Sequence, residues 1–192
     1  MMGGADDDRK KAATLPEGDV IGVLYGQHAR IQDLFERVEG SSGEQRETAF
    51  DELRVLLALH ETGEELVLRP VSRETAGEGV VEARNKEEDE ATRVLADLEK
   101  MDVSSAEFER SFAKFKQAVV AHAEHEEKEE FPTVVQQCDE DERQKLGERL
   151  TMAEKTGLAQ QQPVAASTIA SQNSPDSFAS MLERARDTLS DK

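Results

Sequence analysis

The chain has 192 residues, enough for one domain with a sizeable core. Charged residues make up 34% of it and aromatic residues only 4%, a balance that suits an aliphatic helical core and disfavours a β-sandwich. The formal net charge of −18, from 42 acidic and 24 basic residues, disfavours partners such as nucleic acid or an anionic membrane surface and favours a cation.

Cysteine content and the amino terminus both indicate a cytoplasmic protein. The single cysteine, Cys138, excludes a disulfide framework within the chain, which fits a reducing compartment. No apolar leader segment follows the first residues, and no stretch approaches the roughly 18 apolar residues of a membrane span. We therefore expect no membrane and no nucleic acid among its partners, while the oligomeric state stays open.

The first elements in chain order are an arm and four helices. Residues 1–16 are polar, aperiodic and rich in Gly and Asp, and we expect a flexible arm there. Four segments follow in which apolar residues recur at alternating three- and four-residue steps, as in helices packed into a bundle. These apolar ladders begin at Ile21, Phe50, Val81 and Phe108.

Start and stop signals agree with these limits. Capping boxes are predicted ahead of the second and fourth helices, formed by Ser42 with Gln45 and by Ser104 with Glu107. Two prolines, Pro70 and Pro132, are expected to end or kink the same two helices. The connections are short except for residues 70–79, which we expect to form a loop across the end of the bundle.

The predicted fold is all-α: an up-down-up-down four-helix bundle with additional short C-terminal helices. The bundle and a short fifth helix over 139–155 occupy residues 17–156. Residues 157–174 are rich in Gln, Ala, Ser and Pro and are predicted to form a linker. An amphipathic helix over 175–190 follows, which we expect to dock back on the bundle.

All four ladders carry polar residues that can meet at one level of the core. These residues are His28 on the first helix, His60 and Glu64 on the second, Glu88 on the third, and His122 and Glu126 on the fourth. In the second and fourth helices, a Glu follows His by four residues, so both side chains point to one face, and a Pro follows that His by ten. Burying such carboxylates unpaired costs several kcal/mol each, against a total stability of about 5–15 kcal/mol. A pair of metal ions would offset that cost.

The donor types narrow the choice of metal. Three His and three Glu suit iron, and also manganese or zinc, whereas the lack of thiolates excludes a zinc-finger type of site. On the third helix the acidic candidates are Glu87, Glu88 and Asp89. The first ladder repeats in the third at an offset of 60 residues, which places Glu88 in the slot of His28 and makes Asp89 the second choice.

The order of these motifs resembles the hemerythrin-like (HHE) cation-binding domains, over about residues 17–138. The resemblance rests on a His, then two His-x-x-x-Glu motifs, and the Phe-Pro pair that follows the second of them. It implies a non-haem di-iron centre in which Glu64 and Glu126 bridge the two ions, which also share an oxo or hydroxo group. Members usually carry a His on the third helix, where this chain offers Glu88. The extra carboxylate favours chemistry like that of di-iron oxidases and ferritins over simple oxygen transport.

Other polar residues near the motifs have less specific interpretations. His125 is expected at the surface or beside the site, Glu61 and Glu127 at the surface or orienting the imidazoles, and Tyr25 in ordinary packing. The leading hypothesis is a di-iron protein that binds or reacts with oxygen, peroxide or nitric oxide, in oxidative stress or iron homeostasis. Whether it is an enzyme stays open. The alternatives are a metal- or redox-responsive sensor or interaction module without turnover, and a metal-free helical interaction protein.

Overall fold

The computed structural model describes residues 4–161 and 177–190, and these residues form helices and turns with no strand among them. The bundle consists of the four long helices α2 (Val20–Gly40), α3 (Glu44–Gly63), α5 (Glu78–Leu98) and α6 (Ala106–His125). The other helices are α1 (Ala5–Ala12), α4 (Arg69–Thr75), α7 (Phe131–Gln137), α8 (Glu140–Gln161) and α9 (Phe178–Ser190). Two π-helical turns, π1 (Glu64–Leu68) and π2 (Glu126–Glu130), follow α3 and α6. Within the described ranges, no helix has the length and apolar character needed to cross a membrane.

The amino-terminal segment contains a helix where an aperiodic arm was expected, so that expectation is wrong for residues 5–12. Acidic residues fill the first turn of α1 and basic residues its last turn, an order that complements the helix dipole. The helix packs on α2, where Asp8 is buried and accepts a hydrogen bond from Gln32 at 2.7 Å. Its Lys11 reaches Glu127 at 2.5 Å. These long-range contacts, which periodicity does not report, hold α1 against the bundle.

Both predicted capping boxes are wrong in detail. Helix α3 follows Gly43, which has no side chain that could cap the helix and turns the chain with a φ of +56°, a conformation that favours glycine. Helix α6 is capped by Ser105, whose Oγ accepts a hydrogen bond from the Phe108 N–H at 3.0 Å. The neighbouring Ser104 is engaged by Asp102 instead, at 2.6 Å from its Oγ.

The two prolines explain the π-helical turns. A proline has no N–H to donate, so the regular α-helical ladder is interrupted where Pro70 and Pro132 stand. The preceding residues, Arg69 and Phe131, donate their N–H groups five residues back, to the carbonyls of Glu64 and Glu126. Each π turn therefore begins at one of the predicted metal-binding glutamates, and such turns are frequent at functional sites. Residues 69–75 then form α4, so most of the expected loop over 70–79 is helical.

The core has two large apolar clusters with a polar layer between them, and a third, small cluster around Val67 and Ala153. On α2, Leu24 belongs to one cluster and Ile31 to the other, and His28 lies between them. Along α3 and π1, Leu57 and Leu68 bracket the polar residues in the same way. The layer is thus closed above and below by packed hydrocarbon.

The two C-terminal helices pack against the bundle. Helix α9 places Phe178 and Met181 in the apolar core, which confirms the expected docking. Helix α8 extends past the predicted end at residue 155 to Gln161, and approaches the start of α2 closely at Gly147. The remainder of the predicted linker, residues 162–174, lies outside the described residues.

Candidate metal centre

The structure brings all six predicted metal-binding side chains into the polar layer. They form two groups of possible ligands, in each of which the donor atoms lie within 4.8 Å of one another. The first position is formed by His28, His60, Glu64 and Glu126, and the second position by Glu64, Glu88, His122 and Glu126. On α5, Glu88 points into the layer and Asp89 is exposed, so the ladder phase identified the inward residue correctly.

Two glutamates are shared between the positions, and each offers one oxygen to each of them. At the first position, Glu126 Oε2 lies 3.4 Å from His28 Nε2, and Glu64 Oε1 lies 3.5 Å from His60 Nε2. At the second, the other oxygens of Glu126 and Glu64 lie 3.2 and 4.0 Å from His122 Nε2. Glu88 Oε1 lies 3.5 Å from the same nitrogen. This is the arrangement expected of carboxylates that bridge two cations.

All three inward imidazoles are held by their outer nitrogen. His28 Nδ1 lies 3.0 Å from Glu127 Oε1, and His60 Nδ1 lies 2.9 Å from Gln27 Oε1. His122 Nδ1 lies 3.0 Å from Glu87 Oε2. The Gln27 amide also donates to Glu154 at 2.8 Å, which fixes its oxygen toward His60. His60 therefore carries its proton on Nδ1 and presents a free lone pair on Nε2 to the layer. Such outer hydrogen bonds orient metal-binding histidines.

The role expected of Glu127 is confirmed, whereas Gln27 and Glu87 were missed in that role. Gln27 precedes His28 on an otherwise apolar face, and a single buried amide gives no periodic signal. His125, the fourth histidine, lies outside both positions with its side chain 44% exposed, and it contacts Glu87 at 2.9 Å. Tyr25 packs edge-on against Phe131, with ring centroids 5.2 Å apart, as expected.

The electrostatics of the layer divide its groups into proton-bound and ionised. Burial opposes the charged form of His28, but the nearby carboxylates of Glu126 and Glu127 raise its pKa to about 9. Burial and the nearby Glu126 charge raise the pKa of Glu64 to about 8. Burial also opposes ionisation of Glu126, yet the positive charge of His122 holds its pKa well below the usual range. Burial, reinforced by the His28 charge, lowers the pKa of His60. Without a cation the layer thus retains protons that a metal ion would displace.

A buried arginine completes the layer and was missed in the sequence. The Nη1 atom of Arg69 donates to both oxygens of Glu130, at 2.8 and 2.9 Å. Its Nη2 atom donates to Glu126 Oε1 at 2.8 Å, and also contacts Glu88 and Glu64. A signal for it exists: the residue before the repeated proline is Phe131 in one half of the chain and Arg69 in the other. This difference between the two halves distinguishes Arg69 from the apolar residue at the equivalent position.

The residues present fit a metal ion. Four buried atoms of the layer that could bind a metal ion have no hydrogen-bond partner among the described residues. They are His28 Nε2, His122 Nε2, Glu64 Oε1 and Glu126 Oε2. Leaving such atoms unsatisfied costs roughly 1–3 kcal/mol each, more for charged groups. Their mixed imidazole and carboxylate chemistry suits iron, manganese or zinc.

A small cavity adjoins the layer. It has a volume of about 30 Å³ and is lined partly by the polar residues His28, His60, Glu88 and His122. The remaining wall is largely apolar and includes Ile31, Leu57, Ala91 and Val119. A cavity of this size has room for a molecule of only a few atoms.

An interior layer of histidines and glutamates between two apolar clusters defines a cation-binding helical-bundle protein. The sequence matches the family described as the hemerythrin HHE cation binding domain over residues 19–134, and the chain belongs to that family. Among solved structures, it is similar to a hemerythrin HHE cation binding domain-containing protein from Mycobacterium kansasii. The two share 23% identity at a TM-score of 0.66, over 72% of this chain and 86% of the other, which is a likeness of fold. A search of curated proteins finds no match.

Proposed function

We propose that this protein holds two non-haem iron ions and binds or reduces a small oxidant, namely oxygen, peroxide or nitric oxide, in oxidative stress or iron homeostasis. The observation that carries the proposal is the convergence of three oriented imidazoles on two shared carboxylates in the interior. Family membership supports a cation there, and the donor set supports iron among the candidates.

The protein's own residues have separable roles in this proposal. The residues of the first and second positions would hold the ions, and bound iron would supply the redox chemistry. Glu127, Gln27 and Glu87 hold the imidazole rings so that each Nε2 faces the layer. The apolar clusters on both sides keep bulk water out, which strengthens every charge interaction inside.

The cavity supports a small substrate. Its wall combines the polar residues of the layer with apolar side chains, and its volume of about 30 Å³ admits a diatomic gas or peroxide but no larger organic substrate. The strongly acidic surface makes nucleic acid and anionic membranes poor partners, in line with a freely diffusing oxidant as the ligand.

The metal is tested by elemental analysis and absorption spectroscopy of the full chain, purified without an affinity tag from iron-replete cells. We expect close to two irons per chain, and loss of iron and of its near-ultraviolet absorption in His60→Ala and in His122→Ala. His125→Ala is the matched control and should keep both ions, because that ring lies outside both positions. A folded wild-type chain that binds no metal would refute the proposal.

The reaction is tested by filling the cavity. Ala91 is a buried cavity-wall residue on α5, and Ala91→Val should retain iron while slowing oxidant consumption in stopped-flow assays. The control is Ala83→Val on the exposed side of the same helix, which should react at the wild-type rate. If iron-loaded wild type neither binds nor consumes oxygen, peroxide or nitric oxide, the reactive function is wrong and the sensor alternative gains support.

A further inference from the structure

The two metal positions differ in whether their carboxylate oxygens have hydrogen-bond partners. At the first position, the oxygens nearest the imidazoles are Glu64 Oε1 and Glu126 Oε2, and both lack a hydrogen-bond partner among the described residues. At the second position, the corresponding oxygens are Glu64 Oε2 and Glu126 Oε1, and both contact Arg69 Nη2, at 3.4 and 2.8 Å. The third carboxylate there, Glu88, contacts the same nitrogen through its Oε1.

One nitrogen of Arg69 therefore contacts all three of the carboxylate oxygens that an ion at the second position would need. A guanidinium cannot lose its proton in a protein, so it remains a cation wherever it lies. A metal ion bonded to the same three oxygens would lie beside the guanidinium, and the two cations would repel each other. Entry of a cation at the second position is thus opposed unless Arg69 Nη2 moves away.

The structure also provides a place for the displaced charge. The other nitrogen of Arg69, Nη1, already contacts both oxygens of Glu130, a fully buried carboxylate on π2. Glu130 belongs to neither group of ligands. A small rotation of the fork can keep this pairing while freeing Glu64, Glu88 and Glu126.

We propose that Arg69 is a resident cation of the second metal position, with Glu130 as the anion that holds it when a metal enters. This inference rests on the two-ion site of the proposed function. The first position is preformed and fills first. The second fills at higher metal concentration because its ion must displace a guanidinium, so the chain has a one-metal state over an interval of concentration. Arg69 thereby also balances the buried carboxylates of the metal-free protein, which would otherwise repel one another.

The test is titration of the metal-free full chain with ferrous iron under anaerobic conditions, by calorimetry and by metal analysis after desalting. Wild type should show two resolved steps. In Arg69→Gln the competitor and its charge are gone, so the second dissociation constant should fall at least about tenfold, with a smaller change in the first. In Glu130→Gln the arginine loses its anionic partner and stays on the ligand oxygens, so the second step should weaken.

The matched control is Arg73→Gln, an arginine also on α4 that pairs with Glu78 in an exposed ion pair. It should leave both steps at their wild-type values. If Arg69→Gln fails to fold without metal, Glu130→Gln decides the question by comparison of its two steps. A merely structural role would weaken both steps, whereas our proposal expects a weaker second step and an unchanged first step.

The outcomes separate this inference from the proposed function. Wild type that takes up no iron overturns the proposed function itself. Wild type that takes up two ions, with both steps unchanged or shifted equally in Arg69→Gln and Glu130→Gln, overturns the role of Arg69 alone. Opposite shifts in the second dissociation constant support it, since a merely structural role for the pair would weaken iron binding in both variants.

Discussion

Replacing Gln27 by Leu isolates the hydrogen bond that orients His60. The change keeps roughly the same side-chain volume in a buried position but removes the acceptor 2.9 Å from His60 Nδ1. It also removes the bond to Glu154, which retains its ion pair with Arg30 and so is not stranded. The loss that matters is therefore an unsatisfied ring N–H in the interior, worth roughly 1–3 kcal/mol.

The same loss should appear in metal affinity. Removal of an outer hydrogen bond to a ligating histidine costs about 10- to 100-fold in affinity, or about 1.4–2.7 kcal/mol, which agrees with the estimate from burial. We would measure iron affinity by competition with a chelator and metal-free stability by urea denaturation. The control is Gln32→Leu, on the same helix, whose amide bonds Asp8 rather than an imidazole. That variant should lose stability and keep its iron affinity. Unchanged affinity in Gln27→Leu would refute the reasoning that His60 binds through Nε2 with Gln27 behind it.

Two further predictions concern stability. The folded metal-free protein binds protons at His28 and Glu64 more tightly than the unfolded chain, with pKa values raised from 6.5 to about 9 and from 4.5 to about 8. Stability from these groups is present at low pH and lost as pH rises toward 8–9. The melting temperature of the metal-free protein should therefore fall as the pH rises toward 8–9. Iron binding, which needs both groups deprotonated, should become tighter over the same rise in pH. A melting temperature that increases with pH would contradict this reasoning. In Gly147→Ala the new Cβ would lie 2.0 Å from the backbone oxygen of Gly18, so we expect a loss of about 1–3 kcal/mol in urea denaturation. Gly26→Ala is its control: the new Cβ would meet no atom of another segment within 4 Å, and the variant should gain about 0.5–1 kcal/mol. Equal stability of the two variants would argue against the close approach of α8.

Local periodicity was sufficient to predict the bundle and the histidines and glutamates that meet in its polar layer. A helix repeats its faces every 3.6 residues, so the ladder that buries Leu24 and Ile31 also buries His28 between them. The same phase distinguished Glu88 from the exposed Asp89. That these residues bind metal remains a prediction. The capping boxes failed because a single-residue shift in a turn, as at Ser105, depends on local hydrogen bonds that the pattern does not specify.

The sequence by itself determined which helix faces are buried and which histidines and glutamates they carry, because both follow from spacing along one helix. Only the tertiary structure decided what lies around them. Arg69 enters the layer from α4, Gln27 reaches a ring on another helix, and Lys11 joins Glu127 across 116 residues. Each of these contacts joins segments whose distance depends on how the helices pack, and no period within one segment encodes that distance.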